Sequence, residues 1–480
     1  MKKYDVIIIG AGSAGLGNAG VAQMLGLKAV LIEKDADHFG GDCTNYGCVP
    51  SKAIIHIAQH FHQARKASAF GLQVSGKADM SKILRYIHEK QDKIRKEEDA
   101  DALRNHGHEV IIGKAKFISS KTIEVNGEKL TARIIILCTG SRPRRIKIPG
   151  ADQMTIYTNE TLFFDCDQLP KHFLVIGGGP IGCEMAQAFQ RLGSKVTIVN
   201  RGSRLLSKET SRISDILETQ FRAEGIVLKS NATVHSFELR SAVIKLEDGS
   251  KEILQCDAAL MAVGRVVNTK GLGLENAGIA ISDKGKIILN KYLQTTNSRV
   301  YVIGDAAGSY MFSHGAEKMV RMLWKNLLIP VFKKKNSARD LSWVTFTDPQ
   351  VAHFGYSEKE MDKQGVGYYR QDQPFHSDDR AIIQEYEYGL AQYYMQDTAR
   401  IGQRRLIAGN MIAPKAGELI QEMELAFHAK IPISKINDRV YPYPVASRIN
   451  QKTIRGVMMP TYTAFKKNIA KRIFRILHRI

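Results

Sequence analysis

The 480-residue chain has no run of the roughly 18 consecutive apolar residues that a membrane-spanning helix needs. Cysteine is scarce. Six positions, 43, 48, 138, 166, 183 and 256, in a chain this long do not make a disulfide framework and suit a reducing compartment. Four of them, Cys138, Cys166, Cys183 and Cys256, read as small apolar packing residues. Acidic residues are in deficit, 48 against 69 lysines and arginines, for a formal net charge of +21. Such a balance suits nucleic acid, an anionic membrane surface or an anionic substrate. No nucleic-acid module accompanies the charge, so nucleic acid is not expected. The opening MKKYDVIIIGAGSAG sets two lysines before an apolar stretch. Asp5 and the glycines break the pattern of a signal peptide and no small-residue cleavage site follows, so the expected location is cytoplasmic.

What is present in quantity is glycine, 40 residues, placed in patterns. YDVIIIG reads as a buried strand, the glycine-rich segment after it as a turn and helix, and LKAVLIEK as a second strand. Gly10, Gly12 and Gly15 form G-x-G-x-x-G between strand and helix. That spacing permits a tight turn and brings backbone N–H groups to a pyrophosphate at the positive helix end. Glu33 ends the second strand, where a carboxylate can bond a ribose hydroxyl. The unit recurs in HFLVIGGGPIGCEMAQAFQRLGSKVTIVNR, with Gly177, Gly179 and Gly182. Its second strand ends in Asn200 and Arg201 instead of an acid. Arg201 and Arg204 can pair with a 2′-phosphate, which favours NADPH over NADH. Between the modules, residues 75 to 110 are dense in charge and are expected as long exposed helices. Residues 111 to 137 alternate like the strands of a small sheet. A third texture begins near Leu341.

GGDCTNYGCVPSK places Cys43 and Cys48 just before a helical pattern. A thiol there has its thiolate favoured by the helix dipole. Metal ligation and structural burial are the competing readings of these residues alone. No second pair at ligand spacing accompanies them, so no metal site is expected.

With this string the sequence resembles the class I pyridine nucleotide-disulfide oxidoreductases, the family of glutathione reductase, dihydrolipoamide dehydrogenase and mercuric reductase. LCTGSRPR (137–144), AVGRVVNT (262–269), RVYVIGDAAG (299–308), TFTDPQVAHFGYSE (345–358) and APKAGELIQE (413–422) follow in family order. The resemblance implies an α/β fold of two Rossmann-like dinucleotide-binding domains, for FAD and NAD(P), and a C-terminal α+β dimerisation domain. The implied boundaries are 1–150 and 271–340 for FAD, 151–270 for NAD(P), 341–458 for the interface and 459–480 for a tail. It implies FAD at Gly10, Gly12, Gly15, Glu33, Lys52, Gly140 and Asp305, and NAD(P)H at Gly177, Gly179, Gly182, Arg201, Arg204 and Gly264. Cys48 is the expected flavin-side thiol and Cys43 the interchange thiol. Lys52 is expected near the flavin, paired with Glu184. The active site is expected to be built from two subunits of a homodimer.

The resemblance also has departures. Disulfide-reducing members carry a histidine and a glutamate near the end of the chain where this sequence has Tyr443 and Arg448. Tyrosine titrates near 10, against about 6.5 for histidine, and shuttles protons poorly near neutrality. Mercuric reductases carry tyrosine there, but also a C-terminal cysteine pair, and this chain has no cysteine after Cys256. The acceptor is therefore read as a metal ion, a small disulfide or another oxidised thiol. The alternative is a quinone or membrane acceptor, with the dithiol as an electron store. The tail FKKNIAKRIFRILHRI repeats apolar residues, Phe465, Ile469, Ile473, Ile476, Leu477 and Ile480, at three- and four-residue steps among cations. Such a helix can lie on the inner face of a membrane, on the protein's own surface or on a partner subunit.

Overall fold

A computed structural model describes residues 1–398, 400–459 and 464–478. The chain forms two compact units, 1–203 with 225–336, and 204–224 with 337–480.

In the first unit the opening strand β1 (Lys2–Ile9) is buried continuously from Val6, as a central parallel strand must be. Helix α1 (Ser13–Met24) returns the chain to β2 (Ala29–Glu33), which pairs parallel with β1. Gly15 lies where α1 crosses the end of β1. A Cβ there would sit 1.7 Å from the Gly10 carbonyl oxygen, so only glycine lets the helix pack this closely. The chain then forms α2 (Gly41–Asn45), α3 (Cys48–Lys66), α4 (Met80–Arg95) and α5 (Ala100–Asn105).

The charge-dense stretch forms the expected helices, α4 and α5, but they are not exposed all round. Met80, Ile83, Leu84, Ile87 and Gln91 make one buried face of α4, which packs on α3. The spacing i, i+3, i+4, i+7 is that of an amphipathic helix whose charges merely cover the other side. The Asp79 carboxylate caps it by accepting from the Lys82 N–H. Nor is 111–137 a separate sheet. Strands β3 (Glu109–Ile112), β4 (Lys116–Ser119), β5 (Thr122–Val125) and β6 (Glu128–Leu137) join β1 and β2 in one sheet, ordered β3-β2-β1-β6-β5-β4. β4, β5 and the start of β6 are locally antiparallel, which gives the alternating pattern. From Leu130 on, β6 also runs parallel to β1, a pairing that local sequence does not announce.

After β7 (Ser141–Pro143), β8 (Thr155–Tyr157) and α6 (Asn159–Asp165), the second module repeats the first. It comprises β9 (His172–Ile176), α7 (Pro180–Leu192) and β10 (Lys195–Val199). Pro180 opens α7 at the position where its fixed φ suits a helix start. Helix α8 (Ser211–Ala223) belongs to the second unit. β11 (Val227–Lys229) then completes the parallel sheet β11-β10-β9-β15-β8, with β15 at Ala258–Met261. A three-stranded antiparallel sheet lies between them in sequence, at Thr233–Glu238, Ser241–Lys245 and Lys251–Gln255. Val300–Val302 adds a parallel strand to β6, and α9 (Ser313–Leu328) packs on α1. The Trp324 indole N–H donates to buried Asn18, whose amide reaches the Cys138 sulfur, so three elements share one polar contact. Cys138, Cys166, Cys183 and Cys256 are all buried.

The second unit is an antiparallel five-stranded sheet built from residues 342–413, with helices covering one apolar cluster. It carries the short helix Asp379–Ile383 and the helix Arg448–Met458. The basic tail forms a helix at Ala464–Leu477. Ile480 of the expected apolar stripe lies outside the described residues, as does the side chain of Phe465.

The two glycine contacts make a paired prediction. A Cβ on Gly182 would sit 2.0 Å from the Gly177 carbonyl oxygen, as one on Gly15 would from Gly10. Gly15→Ala and Gly182→Ala should each destabilise by about 3 kcal/mol or more, against under about 1 kcal/mol for Gly20→Ala, where nothing lies near. Thermal melts of the three variants decide it, and equal melting temperatures would contradict the packing argument.

Candidate active site

The site begins at a contact between two backbones. Gly41 has φ +61°, and a Cβ on it would lie 2.7 Å from the Gly12 Cα. The Gly40 N–H donates to the Ala11 carbonyl at 3.0 Å. The two glycines ahead of Cys43 thus let the thiol segment lie directly on the first glycine loop. A cavity of about 730 Å³ opens beside this contact, lined among others by Gly10, Gly12, Glu33, Asp42, Thr139 and Arg142. The Glu33 carboxylate accepts the Ala11 N–H at 2.6 Å and the Lys34 N–H at 2.8 Å, which fixes it in the wall. Burial pushes its pKa up while these N–H groups pull it down. A cavity walled by bare glycines and one anchored carboxylate fits an adenine dinucleotide.

Cys43 and Cys48 come together, and Cys48 is the first residue of α3. The Ser313 hydroxyl, first residue of α9, lies 3.6 Å from the Cys48 sulfur. Two helix N-termini therefore meet at this thiol. The hydrogen bond from Cys43 is the largest influence holding the Cys48 thiol down to about 6. Ser313 and the Lys52 ammonium add to it, and desolvation opposes. Cys43 is pushed far up by the same bond and by burial. The pair is thus asymmetric, with a thiolate at Cys48 and a protonated thiol at Cys43.

One turn along α3, Lys52 Nζ lies 2.7 Å from Glu184 Oε2 on α7. Glu184 is buried and Lys52 only partly so. At the far end of α3, Arg65 donates to the Arg191 carbonyl at 2.6 Å, so the two helices are tied at both ends.

Gly140 has positive φ and turns the chain between Thr139 and Ser141, both of which line the cavity. Asp305 accepts from the Ser141 hydroxyl at 2.6 Å, and burial raises its pKa. Arg265 donates to Ser141 at 2.6 Å and pairs with Asp42 at 2.9 Å. Sequence reasoning missed Asp42, Ser141, Arg265 and Ser313. Three of them adjoin named positions, Asp42 beside Cys43 and Ser141 and Arg265 each after a marked glycine, but nothing local says that they converge. A smaller cavity of about 160 Å³ is lined by Gly179, Pro180, Gly264 and Arg265. Gly177 and Gly182 hold the start of α7 against β9. Asn200 accepts the Gly178 N–H at 3.3 Å, where a module with an acid would place its carboxylate. Arg201 is exposed at the end of β10. Arg204 belongs to the second unit, with its guanidinium 3.5 Å from Asp215.

Tyr443 lies in the second unit, mostly exposed. Its hydroxyl is hydrogen-bonded to Asp379, which raises its pKa, and the Arg448 guanidinium sits 5.1 Å from its ring centre. Among the described residues no group of three or more His, Cys, Asp or Glu could hold a metal ion. Nor is any described helix long and apolar enough to cross a membrane.

Residues 4–319 match the family described as pyridine nucleotide-disulphide oxidoreductase, and residues 341–453 match its dimerisation domain. The chain belongs to this family. It is 30% identical over 444 residues to a protein named mercuric reductase from Staphylococcus aureus, covering 92% of this chain and 80% of that one. It is 31% identical over 458 residues to a dihydrolipoyl dehydrogenase from Thermus scotoductus, covering 93% and 96%. A solved structure titled as a Cu(II) complex of the HOCl-induced flavoprotein disulfide reductase RclA C43S mutant from Escherichia coli aligns with a TM-score of 0.81. The identity is 26%, over 94% of this chain and 98% of that one. LpdA from Mycobacterium tuberculosis aligns at 0.82 with 25% identity, over 95% and 100%. Members of this disulphide oxidoreductase family bind FAD and NAD(P)H, and the dimerisation-domain match supports a homodimer.

Two measurements test the site. In the reduced protein, alkylation of Cys48 by iodoacetamide should rise through a midpoint at about 6. Cys43→Ala should move that midpoint toward the ordinary value of about 8.5. A wild-type midpoint already near 8.5 refutes the asymmetry. The sign for stability follows. The folded pKa is the lower, so the ionised thiol stabilises the reduced protein above about pH 8.5, and that contribution is lost as pH falls through about 6. Separately, Lys52→Met should cost about 2 kcal/mol by leaving the buried Glu184 carboxylate short of its cation. Adding Glu184→Gln should recover part of the loss, and a double-mutant cycle with no coupling would contradict the pairing.

Proposed function

We propose that this protein is an NADPH-dependent dithiol reductase whose acceptor is a soft metal ion. The observation that carries the reading is the contrast between the two candidate proton carriers. Cys43 above all holds the Cys48 thiol down to about 6, whereas the Asp379 carboxylate raises the Tyr443 phenol above its usual range. Reduction of a disulfide needs a group that takes a proton from the interchange thiol and returns one to the leaving thiolate. A phenol raised above its usual range does neither near neutrality. A soft metal ion needs no such group, because it displaces the thiol proton on binding sulfur. The names of two comparison proteins, a mercuric reductase and a Cu(II) complex, agree with that acceptor class. The absence of an acid at the end of β10, with Arg201 beside it, supports NADPH over NADH.

FAD, held in the cavity lined by Gly10, Gly12, Glu33 and Thr139, would supply two-electron chemistry between NADPH and the Cys43–Cys48 disulfide. Opening of the Cys43–Cys48 bond takes up two electrons and one proton, and leaves a thiolate at Cys48 and a thiol at Cys43. Lys52, held by Glu184, keeps a positive charge one turn along α3 from the thiolate. A mercuric ion bound by both sulfurs takes the pair and leaves as the metal, while two cupric ions take one electron each. The disulfide re-forms and the Cys43 proton passes to solvent. In the dimer that this reading requires, Tyr443 approaches the thiols from the other subunit and serves to orient the bound ion.

A second reading has one observation in its favour. The helix at 464–477 carries no carboxylate and exposes Ile469, Ile473 and Leu477, which suits a membrane quinone as acceptor. NADPH oxidation across mercuric ion, cupric ion, lipoamide, glutathione disulfide and a soluble quinone separates the two. Turnover with the metal ions should fall about 100-fold or more in Cys43→Ala, and both disulfides should be slow in the wild type. Full quinone turnover in Cys43→Ala, with no metal-dependent activity in the wild type, would overturn the metal reading.

A further inference from the structure

Helix α9 ends at Leu328, and the chain leaves it through a row of apolar residues turned to water. Leu328, Ile329, Val331 and Phe332 are all exposed, Val331 at 82% and Phe332 at 75%. Lys333, Lys334 and Lys335 follow, exposed as well. Single exposed apolar side chains are ordinary, but a contiguous row edged by charge marks a contact surface.

This row is not a slack loop. Buried Asn326 grips its far side, accepting the Lys334 N–H at 2.7 Å and donating to the Lys334 carbonyl at 2.9 Å. The Asn336 N–H donates to the Lys291 carbonyl at 2.9 Å. The ammonium groups of Lys291 and Lys333 lie 5.4 and 5.7 Å from the centre of the Tyr292 ring. The Phe332 N–H closes a turn on the Ile329 carbonyl at 3.3 Å. The base of the prong is pinned and its apolar tip is left in water.

Charge selects the occupant. From Lys318 to Lys335 the sequence holds six lysines and arginines and no aspartate or glutamate. An apolar protein groove would satisfy the tip but not the lysine collar. A bilayer with anionic headgroups satisfies both, taking Val331 and Phe332 at the acyl boundary and the lysines at the phosphates. One weak anchor binds reversibly, and stable attachment takes two. A separate candidate anchor, in the second unit, is the helix Ala464–Leu477, exposed along residues 466–477, with Ile469, Ile473, Ile476 and Leu477 on one side and Lys467, Lys471 and Arg475 on the other.

We propose that this protein docks peripherally on anionic bilayers, with residues 328–335 as an inserting prong. The proposal does not depend on which acceptor the dithiol serves, and its test uses no turnover. Full-length protein is floated with phosphatidylcholine vesicles, with and without phosphatidylglycerol. Wild type should float only with the anionic vesicles, and less at high salt. Val331→Ser with Phe332→Ser should lower partitioning about tenfold, as should Lys333→Glu, Lys334→Glu and Lys335→Glu together. Ile473→Ser with Leu477→Ser should weaken it independently. Unchanged melting curves and light-scattering mass for each variant show that fold and assembly persist. Failure of the wild type to float with anionic vesicles overturns the proposal. So do prong variants that float like the wild type, and so does a prong variant that changes the assembly mass while still floating, since that would assign the surface to a protein partner.

Discussion

The thiol segment is placed by the contact between the Gly41 and Gly12 backbones. Neither residue has a Cβ, and at Gly41 even a methyl group would meet the Gly12 Cα at 2.7 Å. The first glycine loop needs bare backbone so that a pyrophosphate can approach it. The same bareness lets the redox segment approach from the side. One short loop therefore does two jobs, and the distance from dinucleotide cavity to thiol pair is set by backbone, which shifts less than side chains do. Helix α2 starts at this contact, and α3 follows it after Tyr46 and Gly47. Its direction, and with it the position of Lys52, follows from how the glycines lie.

The electrostatics build outward from there. Cys48 stands at the start of α3 and beside the start of α9, so two sets of unpaired N–H groups favour its charge. Lys52 adds a full charge, and Glu184 keeps that lysine from swinging to solvent. Because Glu184 sits on the helix that opens the second nucleotide module, the redox thiols and the second dinucleotide loop share one rigid strut. The Arg65 contact to the Arg191 carbonyl fixes the other end of the strut. A buried ion pair is a weak source of net stability and a better source of registry. Registry is what electron transfer through stacked groups requires.

Much of this was legible in the sequence, for physical reasons that differ from residue to residue. Gly10, Gly12 and Gly15, and later Gly177, Gly179 and Gly182, announce two strand–turn–helix units, and at Gly10, Gly15, Gly177 and Gly182 a Cβ would collide with backbone. Glu33 was readable because strand length fixes where it must fall. Arg265 was not. It bonds Asp42 and Ser141, residues over 120 positions away, and local sequence carries no trace of such a meeting. The amphipathic face of α4 was written in Met80, Ile83, Leu84 and Ile87, but the density of charge around them masked it. The join of β6 to β1 is a register choice made by tertiary packing, so alternation in residues 111–137 described the hairpin and missed the sheet. Arg204 falls in the unit that carries Asp215, 3.5 Å from it, a pairing that the spacing after the second loop does not announce.

The tyrosine in place of a histidine changes what the family scaffold can do without changing the scaffold. A dithiol with one ionised and one protonated sulfur stores an electron pair and a proton in a fixed arrangement. Passing both to a disulfide requires a carrier whose pKa lies near that of the medium. Tyr443 starts high, and Asp379 moves it higher, because ionising the phenol would place two anions in contact. Arg448 over the ring pulls the other way but is the lesser influence. On the proposed reading, the proton half of the store is therefore not relayed through this residue. An acceptor that takes electrons and simply expels the proton, as a thiophilic cation does, uses everything the site retains and needs nothing that it lacks.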